Sequence, residues 1–217
     1  MKFKAYLVAL HIALIPLLMT HDNIQRLAGL NSTVRFPDKM INIHHYKSLN
    51  AIAGSSVFIG DSITHRMSTS FLGSPATNYG ISWARTTDVL KLIPRIKNLH
   101  HADRIFLLIG INDFISGESD GIDQRLEAIA ALLPPGVPVV WSGIQPVDER
   151  SNINNEIAAT NLHISRICAE MQDCTYIDVP GIFEGDDSSY YSDPVHFSKQ
   201  GYSAWQKALL EAAHQAP

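Results

Sequence analysis

Four short blocks of this chain carry side chains that could share one reaction. They are Gly60-Asp61-Ser62-Ile63-Thr64, Asn78-Tyr79-Gly80-Ile81-Ser82, Gly110-Ile111-Asn112-Asp113 and Asp193-Pro194-Val195-His196. A serine hydroxyl is a weak nucleophile until a base takes its proton, and an imidazole such as that of His196 suits proton shuttling near neutral pH. Asp193, three residues earlier, can accept a hydrogen bond from the ring and stabilise the imidazolium. A tetrahedral intermediate also needs donors for its oxyanion. The Ser62 and Gly80 N–H groups and the Asn112 amide could supply them, with Gly80 leaving room for close backbone approach to a substrate. Together these groups could carry out acyl transfer through a serine. Taken alone, Gly60-Asp61-Ser62 reads first as a helix start with a capping serine, and only the other three blocks turn it toward a nucleophile.

These side chains can meet only if the elements before them end at one edge. Apolar runs at Val57–Ile59, Arg104–Ile109, Val137–Trp141 and Tyr176–Val179, with a weaker one near Asn78–Ile81, alternate with helical stretches. The helical faces run through Val89, Leu90, Ile93 and Ile96; Ile122, Leu126, Ile129 and Leu133; Ile157, Ile164, Ile167 and Met171; and Tyr202, Trp205, Leu209 and Ala212. Strand and helix taking turns imply right-handed crossovers, and so an α/β fold: a three-layer α/β/α sandwich around a parallel sheet of about five strands, flavodoxin-like. The turns after the first three strands, and the loop before the last helix, then face the same edge. Neither a Gly-x-Gly-x-x-Gly after the first strand nor a phosphate loop is present, which removes the usual fingerprints of nucleotide binding.

With the four blocks in this order, the sequence resembles the SGNH (GDSL-like) hydrolases from about Val57 to Ala212. The resemblance implies that Ser62 is the nucleophile, that Asp193 and His196 complete a triad, and that Ser62, Gly80 and Asn112 form the oxyanion hole. It implies an esterase working through an acyl-enzyme, without cofactor or metal, on lysophospholipid, short-chain acyl or O-acetyl sugar esters. A cell-envelope glycan O-acetyltransferase or deacetylase is the alternative, and a catalytically silent binding module a further one. Many relatives carry a second glycine where this chain has Ser82-Trp83-Ala84-Arg85. Trp83 would roof the pocket or pack as a half-buried aromatic, Arg85 would meet an anionic substrate group or lie solvated on the surface, and His65 and Arg66 would line the entrance. Asp61 and Asp113 read as structural acceptors of turn N–H groups.

The remainder sets the context. With 217 residues and 46% hydrophobic content the chain can bury one sizeable core. A net charge of −4 offers no basic field for nucleic acid. Lys2 and Lys4 precede an apolar run from Ala5 to Met19. That is the pattern of a signal peptide or a short membrane anchor, and its roughly 23 Å of helix is short of the roughly 30 Å hydrocarbon core. We therefore divide the chain into an N-terminal signal or anchor (1–20), a polar irregular segment (21–53) and an esterase domain (54–217). Export to the periplasm or outside follows, with possible membrane association through residues 5–19. Cys168 and Cys174 could form a bridge in an exported protein. Asn31-Ser32-Thr33 fits a glycosylation sequon, and Glu184-Gly185-Asp186-Asp187 reads as a solvated acidic loop. His44-His45 and His100-His101 lack ligand-spaced partners and read as surface histidines.

Overall fold

The computed structural model describes residues 35–147, 151–183 and 190–215. The chain separates into two units, Met1–Arg35 and Phe36–Pro217, and the second contains a sheet with the helices packed on it. The apolar N-terminal run, the sequon and the acidic loop at 184–187 lie outside the described residues.

Helix α1 (Phe36–Ser48) comes first, then strand β1 (Ser56–Gly60), the short helix α2 (Ser62–Arg66) and strand β2 (Ala76–Asn78). Next are α3 (Thr86–Leu92), β3 (Ile105–Leu108), α4 (Ile111–Ile115), α5 (Ile122–Leu132) and β4 (Val139–Ser142). The long α6 (Ser151–Glu170), β5 (Cys174–Ile177), α7 (Val179–Ile182) and α8 (Lys199–Gln215) complete the unit. The five strands form a parallel sheet in the order β2-β1-β3-β4-β5. Composition explains that order: β1, β3 and β4 are buried throughout, whereas β2 and most of β5 are half-buried and take the edges.

Alternate residues of each central strand feed two cores, as the period of two requires. Val57, Ile59, Ile105, Leu107, Val139 and Trp141 join one core, which also holds Val89 of α3, Leu126 of α5 and Ile164 of α6. Phe58, Phe106, Leu108 and Val140 join the other, with Ile63 of α2, Val179 of α7 and Trp205 and Leu209 of α8. Phe58 and Phe106 stack with ring centroids 4.4 Å apart. In a sheet of this order, the crevice for ligands opens where β1 and β3 lie side by side and their crossovers leave to opposite faces. Gly60 pairs with Leu108 there. The pairing places the turns that begin α2 and α4 next to one another.

The three-layer expectation holds, and two local readings need correction. Residues 36–48 are a helix, not irregular chain. Pro37, Ile41, His44 and Ser48 face inward at helical spacing, but two of the four are polar, so no apolar stripe announces the helix. The weak second strand is Ala76–Asn78, so Tyr79–Ile81 already belongs to the turn beyond it. Cys168 and Cys174 do form a disulfide, tying the end of α6 to the start of β5.

Candidate active site

Asp61 caps α2, its Oδ1 accepting the Ile63 N–H at 2.9 Å. Ser62 follows as the first helical residue, where an N–H has no intrahelical acceptor. Gly60 is required just before it, since a Cβ there would lie 2.3 Å from both Leu108 O and Thr64 Oγ1. Asp61 is fully buried; burial pushes its carboxyl up to about 7, the Ile63 N–H opposes that rise, and the charge of Asp113 adds to it.

The Ser62 hydroxyl lies 2.9 Å from His196 Nε2. His196 Nδ1 donates to Asp193, 2.9 Å from Oδ2 and 3.0 Å from Oδ1. Since a carboxylate only accepts, the ring proton sits on Nδ1 and leaves Nε2 free to receive the serine proton. Asp193 Oδ1 also accepts the N–H groups of Val195 at 3.0 Å and His196 at 2.8 Å. Burial would raise the Asp193 carboxyl, but those two N–H groups and the imidazole outweigh it and hold it below the usual carboxylate range. The loop is clamped at its base: the Ser192 N–H donates to His196 O, the Ser198 N–H to Tyr190 O, and Gln145 Nε2 to Val195 O at 3.2 Å. Nothing in the sequence around Gln145 announced that contact.

Gly80 differs from its sequence reading. Its N–H donates to Asn78 Oδ1 at 2.8 Å, so it is already satisfied by the protein. Asn78 is itself held by Nδ2 donation to Thr64 O and Met67 O at 2.6 and 3.1 Å. The close approach that demands a glycine is to α2 rather than to a substrate, because a Cβ would fall 2.4 Å from His65 N and 2.8 Å from Thr64 C. The Gly80 carbonyl accepts from two histidines, His65 Nδ1 at 3.0 Å and His44 Nε2 at 3.3 Å. His65 therefore anchors this loop. His44 is buried, not on the surface, and packs edge-on against Tyr79 with ring centroids 5.4 Å apart. Burial drives its imidazole down to about 4, so it is neutral, with its proton on Nε2. A histidine at an inward position of an unannounced helix gave the sequence reading no signal.

Three residues further on, Trp83 adopts φ 65°, a left-handed conformation costly for a bulky residue, while 69% of its surface stays exposed. It is not a buried packing aromatic. Among the described residues no acceptor takes its N–H, nor that of Ser62. Asn112, buried on α4, donates from Nδ2 to Ala84 O at 2.9 Å, which fixes the amide against the Trp83 loop and leaves its second N–H. Arg85 is neither solvated nor free for an anion, since it forms an ion pair with Glu118. Asp113 has the structural task expected of it: it accepts from Thr86 N at 3.0 Å, Thr86 Oγ1 at 2.6 Å and Arg125 Nη2 at 3.2 Å. Burial nevertheless keeps its carboxyl above the ordinary range. No cluster of potential metal ligands occurs among the described residues.

A hydroxyl hydrogen-bonded to an imidazole that is hydrogen-bonded to a carboxylate, at the carboxyl edge of a parallel sheet, is the geometry by which a serine hydrolase could work. Residues 58–204 match the model of the GDSL-like Lipase/Acylhydrolase family. The chain belongs to that family and is an ester-hydrolysing enzyme.

Solved structures share the fold. One presented as a platelet activating factor from Streptococcus pneumoniae is 22% identical with a TM-score of 0.73, the match covering 89% of this chain and 99% of that one. A GDSL-like lipase from Bacteroides thetaiotaomicron is 16% identical (TM-score 0.64; 83% and 99% covered). A variant of an acetyl xylan esterase from Geobacillus stearothermophilus is 17% identical (TM-score 0.63; 75% and 96% covered). No curated protein sequence matches significantly.

Proposed function

We propose that the protein is an exported serine esterase, held at or near a membrane by its N-terminal segment, that cleaves carboxylic esters through an acyl-enzyme on Ser62. The observation that carries this reading is the 2.9 Å contact between Ser62 Oγ and His196 Nε2, with Asp193 behind the ring. Ser62 Oγ adds to the ester carbonyl as its proton passes to His196 Nε2. The imidazolium is stabilised by Asp193, and the tetrahedral oxyanion meets the N–H groups of Ser62 and Trp83 and the free amide N–H of Asn112. Collapse expels the alcohol, which takes the proton from Nε2. Water, deprotonated by the same nitrogen, then releases the acid and restores Ser62.

The exposed Trp83 indole beside this donor set offers a flat apolar face to the acyl or alcohol part of a substrate. Short-chain acyl esters, O-acetyl sugars and lysophospholipids are the substrate classes in view, and the acetyl xylan esterase neighbour supports the sugar esters among them.

The reading is tested by replacing Ser62 with Ala and assaying a short-chain nitrophenyl ester. A fall in kcat on the order of 10³-fold or more is expected. Turnover matching wild type by a well-folded variant would exclude the mechanism. A fluorophosphonate probe should label wild type and not the variant.

A further inference from the structure

The outer side of α1 is unusual for a surface helix. Phe36, Ile43 and Tyr46 are 51%, 54% and 67% exposed, and the turn beyond the helix adds Leu49 and Ile52 at 53% and 68%. The inner side is packed by Pro37, Ile41, His44 and Ser48. Lone exposed apolar residues need no explanation, but five within 17 residues on one helix and its following turn are a density of exposed apolar side chains that calls for a partner.

Charge narrows the partner. Twelve of the 17 Lys and Arg residues lie before residue 105, against five of the 21 Asp and Glu, so the negative chain as a whole has a basic half. Around α1, Lys39 and Lys97 are exposed and have no ion-pair partner among the described residues, and Arg95 reaches Asn42 Oδ1 at 2.7 Å. Asp38, the acidic residue of the helix, is neutralised by Lys91 at 3.1 Å. Aromatic and aliphatic side chains interleaved with free lysines are the composition of a helix that lies in the interface of an anionic bilayer. The preceding chain agrees: the apolar run Ala5–Met19, led by Lys2 and Lys4, ends 17 residues before Phe36. Fully extended, that tether spans at most about 60 Å.

We propose that the outer face of α1 and its following turn rest on an anionic lipid surface; the inference depends on residues 5–19 engaging the membrane, as the function proposed above assumes. Because the inner face of the same helix holds the Gly80 carbonyl through His44, the contact would set the oxyanion loop close to the lipid plane.

The test uses the full chain bound to vesicles of phosphatidylcholine and phosphatidylglycerol, with an environment-sensitive dye on Ile43→Cys, Tyr46→Cys or, as control on the opposite face of the sheet, Lys207→Cys. Vesicle flotation reports membrane engagement separately. Lipids with brominated acyl chains should quench the dye at 43 and 46 and leave 207 bright, and Lys39→Glu with Lys97→Glu should reduce that quenching. Flotation without quenching at 43 and 46 overturns the inference and leaves the N-terminal anchor standing, whereas failure to float overturns both. Dye already shielded without lipid at every dilution would mean that residues 1–34 cover the face. Shielding lost on dilution would mean that a second copy does. Either result overturns the proposal.

Discussion

The side-chain carbonyl of Asn78 accepts the Gly80 N–H at 2.8 Å, while its amide donates to the carbonyls of Thr64 and Met67 on and just after the serine helix. One asparagine thus clips the turn after β2 to the helix that presents Ser62. Gly80 serves this junction by lacking a side chain, and its N–H is already taken by Asn78.

Replacing Gly80 with Ala should therefore act through packing. Its Cβ would meet the backbone of His65 at 2.4 Å, a contact no flexible side chain can relieve. We expect a loss of about 1–3 kcal/mol of stability, read by urea unfolding, together with a fall in kcat as Ser62 shifts. Asn78→Ala should give a comparable loss and leave the glycine N–H free. If that freed N–H raised kcat, the assignment of the donor to Trp83 would be wrong.

Trp83→Gly should stabilise the protein relative to Trp83→Ala by about 1 kcal/mol, because glycine adopts φ 65° without the penalty any Cβ carries. The glycine variant keeps the N–H. It should retain kcat on acetyl nitrophenyl ester while KM rises for substrates whose acyl or sugar portion reaches the indole. Equal KM values for small and large esters would remove Trp83 from the substrate site.

Asp193→Asn should lower kcat on the order of 10³–10⁴-fold with little change in KM, since the neutral amide neither fixes the Nδ1–H tautomer nor stabilises the imidazolium. The N–H groups of Val195 and His196 can still donate to the amide oxygen, so the loop should keep its shape. Thermal unfolding of the variant near that of wild type would separate lost chemistry from lost structure.

His44 should impose a pH dependence on stability. In the unfolded chain its imidazole binds a proton below about 6.5, but in the folded protein burial withholds it until about 4. The unfolded state therefore holds the extra proton between these values, and stability contributed by neutral His44 is lost as pH falls from 6.5 to 4. Wild type should lose about 2 kcal/mol across that window relative to His44→Phe. Asp61 acts in the opposite sense, its carboxyl raised to about 7, and cancels in the comparison. Parallel stability profiles for the two proteins would mean that folding leaves the proton affinity of His44 unchanged.

The Cys168–Cys174 bridge closes a loop of sequence separation six. Loop entropy on that scale is worth about 2 kcal/mol, so Cys168→Ala with Cys174→Ala should unfold at correspondingly lower urea, with kcat unchanged because the bridge joins α6 to β5 rather than to the serine or histidine loops. A drop in kcat would mean that β5 transmits strain to the site.

Strong local patterns made the fold legible in the residues themselves. The β-branched and aromatic runs that become β1, β3 and β4 are buried on both faces, and the helical periods of α5, α6 and α8 are apolar on one side, so periodicity alone implied a parallel sheet between two helical layers. Ser62, Asn112, Asp193 and His196 could be read as one site because each directly follows a strand or precedes the last helix, and a parallel sheet brings such turns to one edge. The rest depended on contacts between distant segments. Whether the Gly80 N–H was free turned on where the Asn78 side chain pointed, and Arg85 was taken by Glu118, 33 residues away. His44 became a buried donor only because α1 packs its polar positions inward, against the very loop it supports. Periodicity reports which face of an element is apolar, whereas the partner of each polar group is chosen by packing in three dimensions. The sequence by itself therefore determined the sheet and which serine, aspartate and histidine meet at its edge, while tertiary structure decided which of the described backbone N–H groups beside them are already taken by the protein.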